Sequence, residues 1–174
     1  MRSHGRSPLS PVVIPTVRVA TAADLAALER LPLTAEGLRT VLFAARTKPA
    51  LVHVVEQSGT LIGVGCCARQ ANGNLAVRGY DGEINLILVL PEYQRQGVGA
   101  LLLASMARDL SQRGFHEVTS WVKRENAAAR RFYVHHGGQV VAEREHAVDN
   151  KVSLEFAYAW TQLNALQRVA PTSH

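Results

Sequence analysis

The apolar run Ile84-Asn85-Leu86-Ile87-Leu88-Val89-Leu90-Pro91 leads through a short connection into the turn Gln94-Arg95-Gln96-Gly97-Val98-Gly99, which opens onto Ala100-Leu101-Leu102-Leu103-Ala104-Ser105-Met106. No other stretch constrains the fold of this chain as strongly. A strand passing through a glycine-rich turn into a helix is a device for holding phosphate. Glycines let the backbone approach an anion closely, and the free N–H groups of the helix start point at it with the positive end of the dipole.

Two familiar phosphate turns are ruled out by chemistry. A P-loop needs Lys-Ser or Lys-Thr after its last glycine to reach the phosphates and magnesium, whereas Ala100-Leu101 follow here. A dinucleotide fingerprint needs a third glycine three residues after the second; Leu102 stands there, and no acidic residue marks the end of a following strand.

Periodicity orders the rest. Val17–Ala20 reads as a first strand, and Thr21 to Asp24 cap a helix running to about Leu31, where Pro32 breaks it. Thr34 opens a second helix to about Arg46. Leu51–Glu56 and Leu61–Ala68 form a hairpin around Gln57-Ser58-Gly59, Asn72-Gly73-Asn74 is a turn, and Glu83–Leu90 is a central strand. Gly97–Arg113 is the clearest helix, with Val98, Leu102, Met106 and Leu110 stacked on one face. His116–Val122 is a strand, Asn126–His136 a helix ended by Gly137-Gly138, and Gln139–Ala142 and Val152–Ala159 two closing strands. Residues 1–15 are Pro/Ser/Arg-rich and aperiodic, so a disordered tail is expected there, a domain over 16–165 and a short C-terminal tail over 166–174.

The helix after the fifth strand carries a second motif, Asn126-Ala127-Ala128-Ala129-Arg130-Arg131-Phe132-Tyr133-Val134-His135-His136-Gly137. Together with the glycine turn and the Pro91-Glu92-Tyr93 before it, this resembles the GNAT superfamily of N-acetyltransferases. Their pattern is (Gln/Arg)-x-x-Gly-x-(Gly/Ala), then Asn-x-x-Ala-x-x-Phe-Tyr-x-x-x-Gly. The likeness is close over roughly residues 82–143 and elsewhere extends to the order of elements.

The resemblance implies an α/β (α+β) fold with a mixed central sheet of six to seven strands flanked by four helices. It implies acetyl-CoA as cosubstrate, held at its pyrophosphate by the backbone of Arg95, Gln96, Gly97, Val98, Gly99 and Ala100. It assigns Leu88, Val89 and Leu90 to the pantetheine arm, which pairs with them like an added strand, and a further hydrogen bond to Asn126. Acetyl transfer to an amine needs a base for the amine proton, an acid for the leaving thiolate and no covalent intermediate. Tyr133 is the expected general acid, since a phenol beside the sulfur can protonate it. Glu83, eleven residues before Gln94, falls where the protein-lysine branch carries its general base. Strand alternation places Glu83 and Asn85 on one polar face. These three assignments have plain competitors: Asn126 suits a helix N-cap, Tyr133 a packed stripe, and Glu83 a solvated strand start. His135 and His136 lie in the last turn of a helix, where the dipole favours a cation without any function. Gly138 replaces an aromatic usual in the family, which would widen the surroundings of the acid.

Composition narrows the setting. The chain of 174 residues is 47% hydrophobic, which suits one domain with a sizeable core. No apolar run approaches the ~20 residues of a membrane span, and the N-terminus lacks the apolar core of a secretory signal. Cys66 and Cys67 are adjacent, so on a strand they face opposite ways, can neither bridge nor share a metal, and suit a cytoplasmic protein with no metal site. Residues 1–80 hold nine Lys/Arg against four Asp/Glu, whereas 81–174 hold ten of each, so the net +5 lies outside the motif half. The expected acceptor is a small-molecule or protein amine, and a homodimer is the one assembly entertained. Rival readings are an acetyltransferase toxin acting on aminoacyl-tRNA, the one nucleic-acid partner entertained, and a CoA-binding module that has lost catalysis.

Overall fold

The computed structural model describes residues 13–47, 51–148 and 151–168. Strand β1 (Thr16–Val19) is followed by a 3-10 turn (Ala22–Asp24), α1 (Leu25–Leu28) and α2 (Ala35–Thr47). Then come β2 (Val52–Gln57), β3 (Thr60–Arg69), α3 (Gly73–Val77) and β4 (Gly82–Val89). A second 3-10 turn (Pro91–Tyr93) leads to α4 (Val98–Gln112), β5 (Val118–Lys123) and α5 (Ala127–His135). Strands β6 (Gln139–Val148) and β7 (Lys151–Trp160) and helix α6 (Leu163–Leu166) complete the described fold.

The seven strands form one mixed sheet in the order β1-β2-β3-β4-β5-β7-β6. Helix α4 covers one face: Val98, Leu102, Met106 and Leu110 are buried, and they join Ile62, Ile84, Val118 and Tyr133 in the main core with Leu163 and Leu166 of α6. On the other face, Leu28 of α1 and Val41 and Ala45 of α2 pack against Val52, Val54, Val64 and Cys66. A smaller cluster of Leu75, Tyr80, Ala157 and Ala159 covers the C-terminal end of that face. The adjacent cysteines divide as strand alternation requires, Cys67 into the main core and Cys66 into the cluster beneath α2.

Three features depart from the expectations. Among the described residues six helices accompany the sheet where four were expected. One of the additions, α3, replaces the turn read at Asn72-Gly73-Asn74, because Asn72 accepts from the Leu75 N–H at 3.1 Å and so caps a short helix. Strand β6 runs to Val148 and pairs with β7 as far as Lys151, well past Ala142. Its polar Glu143-Arg144-Glu145-His146 stretch lacks an apolar stripe and is held by backbone pairing. Of the expected tails, residues 1–12 and 169–174 lie outside those described. No helix among the described residues is long and apolar enough to cross a membrane.

Candidate active site

The sheet comes apart in the middle. Strands β4 and β5 run parallel and pair only through Gly82↔Val118 and Glu83↔Thr119. Beyond that rung β4 stays with β3 as far as Val89↔Gly63, while β5 stays with β7 as far as Lys123↔Glu155, so a wedge opens between them. The cause is local. Cys67 opposes Ile84 and Cys66 opposes Leu86, which leaves Asn85 as an extra residue, a β-bulge that bends β4 away. The bulge also reverses alternation: Ile84 packs into the main core, whereas Leu86 packs into the cluster on the opposite face.

Backbone direction along the wedge follows from the strand. Leu90 donates its N–H to Ile62 O at 2.9 Å, on the β3 side. Alternation back along β4 turns Leu88 the same way and aims the N–H groups of Val89 and Ile87 at the wedge. Of the three residues expected to meet a pantetheine arm, Val89 thus faces the opening, and Ile87 joins it.

The glycine turn lies at the end of β4. Gln94 Nε2 donates to Val89 O at 3.0 Å and Gln96 Nε2 to Glu92 O at 2.8 Å, so both glutamines tie the turn back to what precedes it. Arg95 (φ 62°) and Gly97 (φ 82°) both take the left-handed conformation, with Gln96 between them. Such alternation curves successive N–H groups into an anion-binding concavity. For Arg95 the conformation is costly, which marks a backbone held in place by its surroundings. Helix α4 starts at Gly97 without a side-chain cap, in contrast to α5, where Asn126 accepts from the Ala129 N–H at 3.1 Å. Val98, Gly99 and Ala100 form the first turn of α4, whose opening N–H groups make no intrahelical bond. Asn126, itself exposed, acts as the N-cap of α5.

Tyr133 enters the site from α5. It is 5% exposed, wedged edge-on against Trp160 at 5.1 Å and tilted against Phe132 and Tyr158. Burial pushes the phenol above its ordinary pKa, and the Ser120 hydroxyl offsets this in part, so the group is a neutral proton donor at physiological pH. Its oxygen lies 3.1 Å from Ser120 Oγ, which in turn donates to Ile84 O at 2.8 Å. Trp160 and Ser120 are the residues that sequence reasoning missed. The space left by Gly138 is occupied rather than widened: a Cβ on Gly138 would stand 2.9 Å from Trp160 Cζ2, and the indole N–H donates to His136 O at 2.9 Å. The register of β6 with β7, which sets Gln139 opposite Ala159 and so Gly138 beside Trp160, reveals this, and no local signal announced it.

Glu83 lies on the other face of the sheet from Tyr133, alongside its rung partner Thr119. Its side chain is partly buried, and the carboxylate accepts from the Ala71 N–H at 3.4 Å. Burial raises its pKa, while the Ala71 N–H and the charge of Arg144 pull it down. Arg144 is fixed by Glu155 at 2.8 Å and stacks over the Trp121 ring at 4.1 Å. A carboxyl with a raised pKa at the closed end of a wedge has the character of a base for amine chemistry. Burial lowers the pKa of His136, and the Phe132 carbonyl, 2.8 Å from its Nδ1, offsets this in part; the side chain belongs to the packing of α5.

One further cluster brings together metal-binding side-chain types. His53, Cys67 and Asp109 place ligand atoms within 4.8 Å of one another, and His53 Nε2 lacks a hydrogen-bond partner. Closed tetrahedral zinc sites space their ligand atoms about 3.3–3.8 Å apart. Asp109 is moreover held by Arg113 at 2.9 Å, and the cluster lies towards the far end of α4 from the glycine turn.

Comparison with known proteins agrees with this geometry. Residues 22–137 match the model of the Acetyltransferase (GNAT) family. The chain is 38% identical over 89 residues to the uncharacterized N-acetyltransferase YuaI of Bacillus subtilis, a match covering 51% of each chain. The chain spans about half the length of the curated relatives it matches. Among solved structures, Ard1 from Thermoplasma volcanium superposes with a TM-score of 0.70 at 18% identity, over 85% of this chain and 97% of that one. YncA of Salmonella typhimurium, a putative acetyltransferase solved with its cofactor acetyl-CoA, gives a TM-score of 0.64 at 19% identity, over 92% and 99%.

Proposed function

The chain belongs to the GNAT acetyltransferase family, and on that footing we propose that it transfers the acetyl group of acetyl-CoA to a primary amine by direct attack. The observation that carries this reading is the wedge between β4 and β5, with the positive-φ turn at one end and the buried phenol inside. An extended thioester arm fits such an opening in a way no globular ligand would.

In this reading the backbone from Arg95 to Ala100 holds the pyrophosphate by N–H donation and the dipole of α4. Val89 and Ile87 pair with the amides of the arm, so that the thioester comes to rest at the bulge. Glu83 takes a proton from the cationic amine, directly or through water. The amine nitrogen attacks the thioester carbonyl carbon; the C–N bond forms, the C–S bond breaks, and Tyr133 gives its phenolic proton to the departing sulfur. On the way to the amide the cationic amine gives up two protons, one to Glu83 before attack and one from the nitrogen of the adduct; the proton that Tyr133 delivers to sulfur balances one of them, the other leaves to solvent, and exchange with solvent resets both groups. Asn126 caps α5 through its Oδ1 and so fixes the helix that carries Tyr133, and its amide N–H groups donate to the pantetheine arm. The transferring unit is the domain over residues 16–165.

A free-thiol assay with acetyl-CoA across polyamines, amino acids, aminoglycosides and lysine peptides tests the proposal. Thiol release that depends on one class of amine supports it and identifies the acceptor. Tight CoA binding with no release from any amine would instead leave a binding module.

A further inference from the structure

Where β4 and β5 part, the ladder leaves one backbone carbonyl without a strand partner. Ile84 directly follows the last paired residue of β4, Glu83, and its oxygen is met by a side chain, Ser120 Oγ, at 2.8 Å. Ser120 directly follows Thr119, the last paired residue on β5, and is itself buried. Its hydroxyl therefore stands at the apex of the wedge, taking the place of the next rung. The same oxygen lies 3.1 Å from the Tyr133 hydroxyl.

Counting protons fixes the direction of these contacts. A serine hydroxyl has one proton and two lone pairs, and a carbonyl oxygen only accepts. With the Ser120 proton committed to Ile84 O, the contact with Tyr133 runs the other way: the phenol donates to Ser120. A tyrosinate reverses this demand, because an anion buried among Phe132, Tyr158 and Trp160 needs a donor, and the Ser120 hydroxyl is the group within reach.

We propose that Ser120 is a positioning residue for acetyl transfer, a hydroxyl that accepts from Tyr133 at rest and rotates to donate to it once the phenolic proton has left. The inference rests on Tyr133 serving as the general acid. In the resting state Ser120 fixes the phenol oxygen at the apex of the wedge. As the C–S bond breaks and the Tyr133 proton passes to sulfur, the Ser120 proton turns from Ile84 O to the phenolate oxygen and stays covalently on Ser120. No atom is transferred from Ser120 and no further reactant is needed. Ile84 O loses its partner for the lifetime of the tyrosinate and regains it when Tyr133 is reprotonated.

The test is a double-mutant cycle of Ser120→Ala and Tyr133→Phe in the full chain, read as kcat, acetyl-CoA affinity and melting temperature. Ser120→Ala is expected to lower kcat by about tenfold to a hundredfold, the worth of a hydrogen bond to a charged group, with acetyl-CoA affinity unchanged. In the Tyr133→Phe background it should lower kcat no further, because no tyrosinate forms there. Ser120→Thr, which keeps the hydroxyl, should restore most of the rate. A loss of equal size in both backgrounds, or a kcat untouched by Ser120→Ala, overturns the proposal while leaving Tyr133 as the acid. An unchanged kcat in Tyr133→Phe alone overturns the acid assignment itself. Should Ser120→Ala fail to fold, Ser120→Cys carries the same cycle, since it keeps the volume and weakens the donor.

Discussion

The ring and the hydroxyl of Tyr133 do separable work. The ring fills the space between Phe132, Tyr158 and Trp160, and the hydroxyl reaches the apex of the wedge. Tyr133→Phe keeps the first and removes the second, so kcat should fall by ~10²–10⁴ with acetyl-CoA affinity nearly unchanged. Steady-state kinetics with calorimetric titration checks this; a drop in affinity or melting temperature at constant kcat would reduce Tyr133 to a packing residue. For Glu83, whose burial raises its pKa, the base form gains population as pH rises through a value above the ordinary carboxylate range. Glu83→Gln should lower kcat at neutral pH and recover part of it at high pH, where the amine is already neutral. Superimposable pH–rate profiles for the two proteins would leave Glu83 without a role in proton transfer. The motif residues were readable because their signals are local: a tyrosine seven residues after a capping asparagine, glycines at a helix start. Trp160 was not, since its contact with Gly138, 22 positions earlier in the chain, depends on strand pairing.

At the scale of elements, the turn into α4 and the first strand each carry a measurable load. Gly97 has φ 82°, so Gly97→Val both strains the backbone and fills the space before the helix start. Acetyl-CoA binding should weaken at least ~tenfold, about 1.4 kcal/mol, as read by calorimetry. Gly99→Val tests something else, because a Cβ there stands 3.3 Å from Phe132 and presses α4 against α5. That variant should lose melting temperature as well as affinity, and a loss confined to affinity would mean that Phe132 yields freely. At the other end of the sheet, Arg18 joins β1 to the start of α1 through a two-pronged contact with Asp24 at 2.8 Å. The Arg18 guanidinium holds the Asp24 carboxyl down at about 2, from an ordinary 3.8. A carboxyl depressed on folding stabilises the protein above its unfolded pKa and loses that contribution as pH falls. Stability should therefore decline between about pH 4 and pH 2, and Asp24→Asn should flatten that stretch of a urea-midpoint series. The elements misread from sequence share one cause. Strand β6 and helix α3 are held by backbone pairing and a single cap, and neither writes an apolar period into its residues.

Across the whole molecule, the seven-strand sheet behaves as two leaves joined at β4 and β5 by the rungs Gly82↔Val118 and Glu83↔Thr119. The order of elements was legible because the long helices and the strands other than the far half of β6 have their own period. The parting of the leaves was not, because the bulge at Asn85 depends on the register between β3 and β4 rather than on residue type. The core on the α4 side spans the junction, with Ile84 from one leaf and Val118 and Val122 from the other. The leaves are thus held together chiefly by side chains, while their backbones separate. Amide hydrogen exchange would make that separation visible as an odd–even pattern along a single strand. In the free protein Val89 and Ile87 should exchange quickly, and Leu88 and Leu90, facing β3, slowly. Adding acetyl-CoA should slow the fast pair and leave the slow pair where it was, turning β4 from an edge into an interior strand without moving it. Uniform protection along β4 in the free protein would mean that the wedge is closed in solution until a ligand opens it.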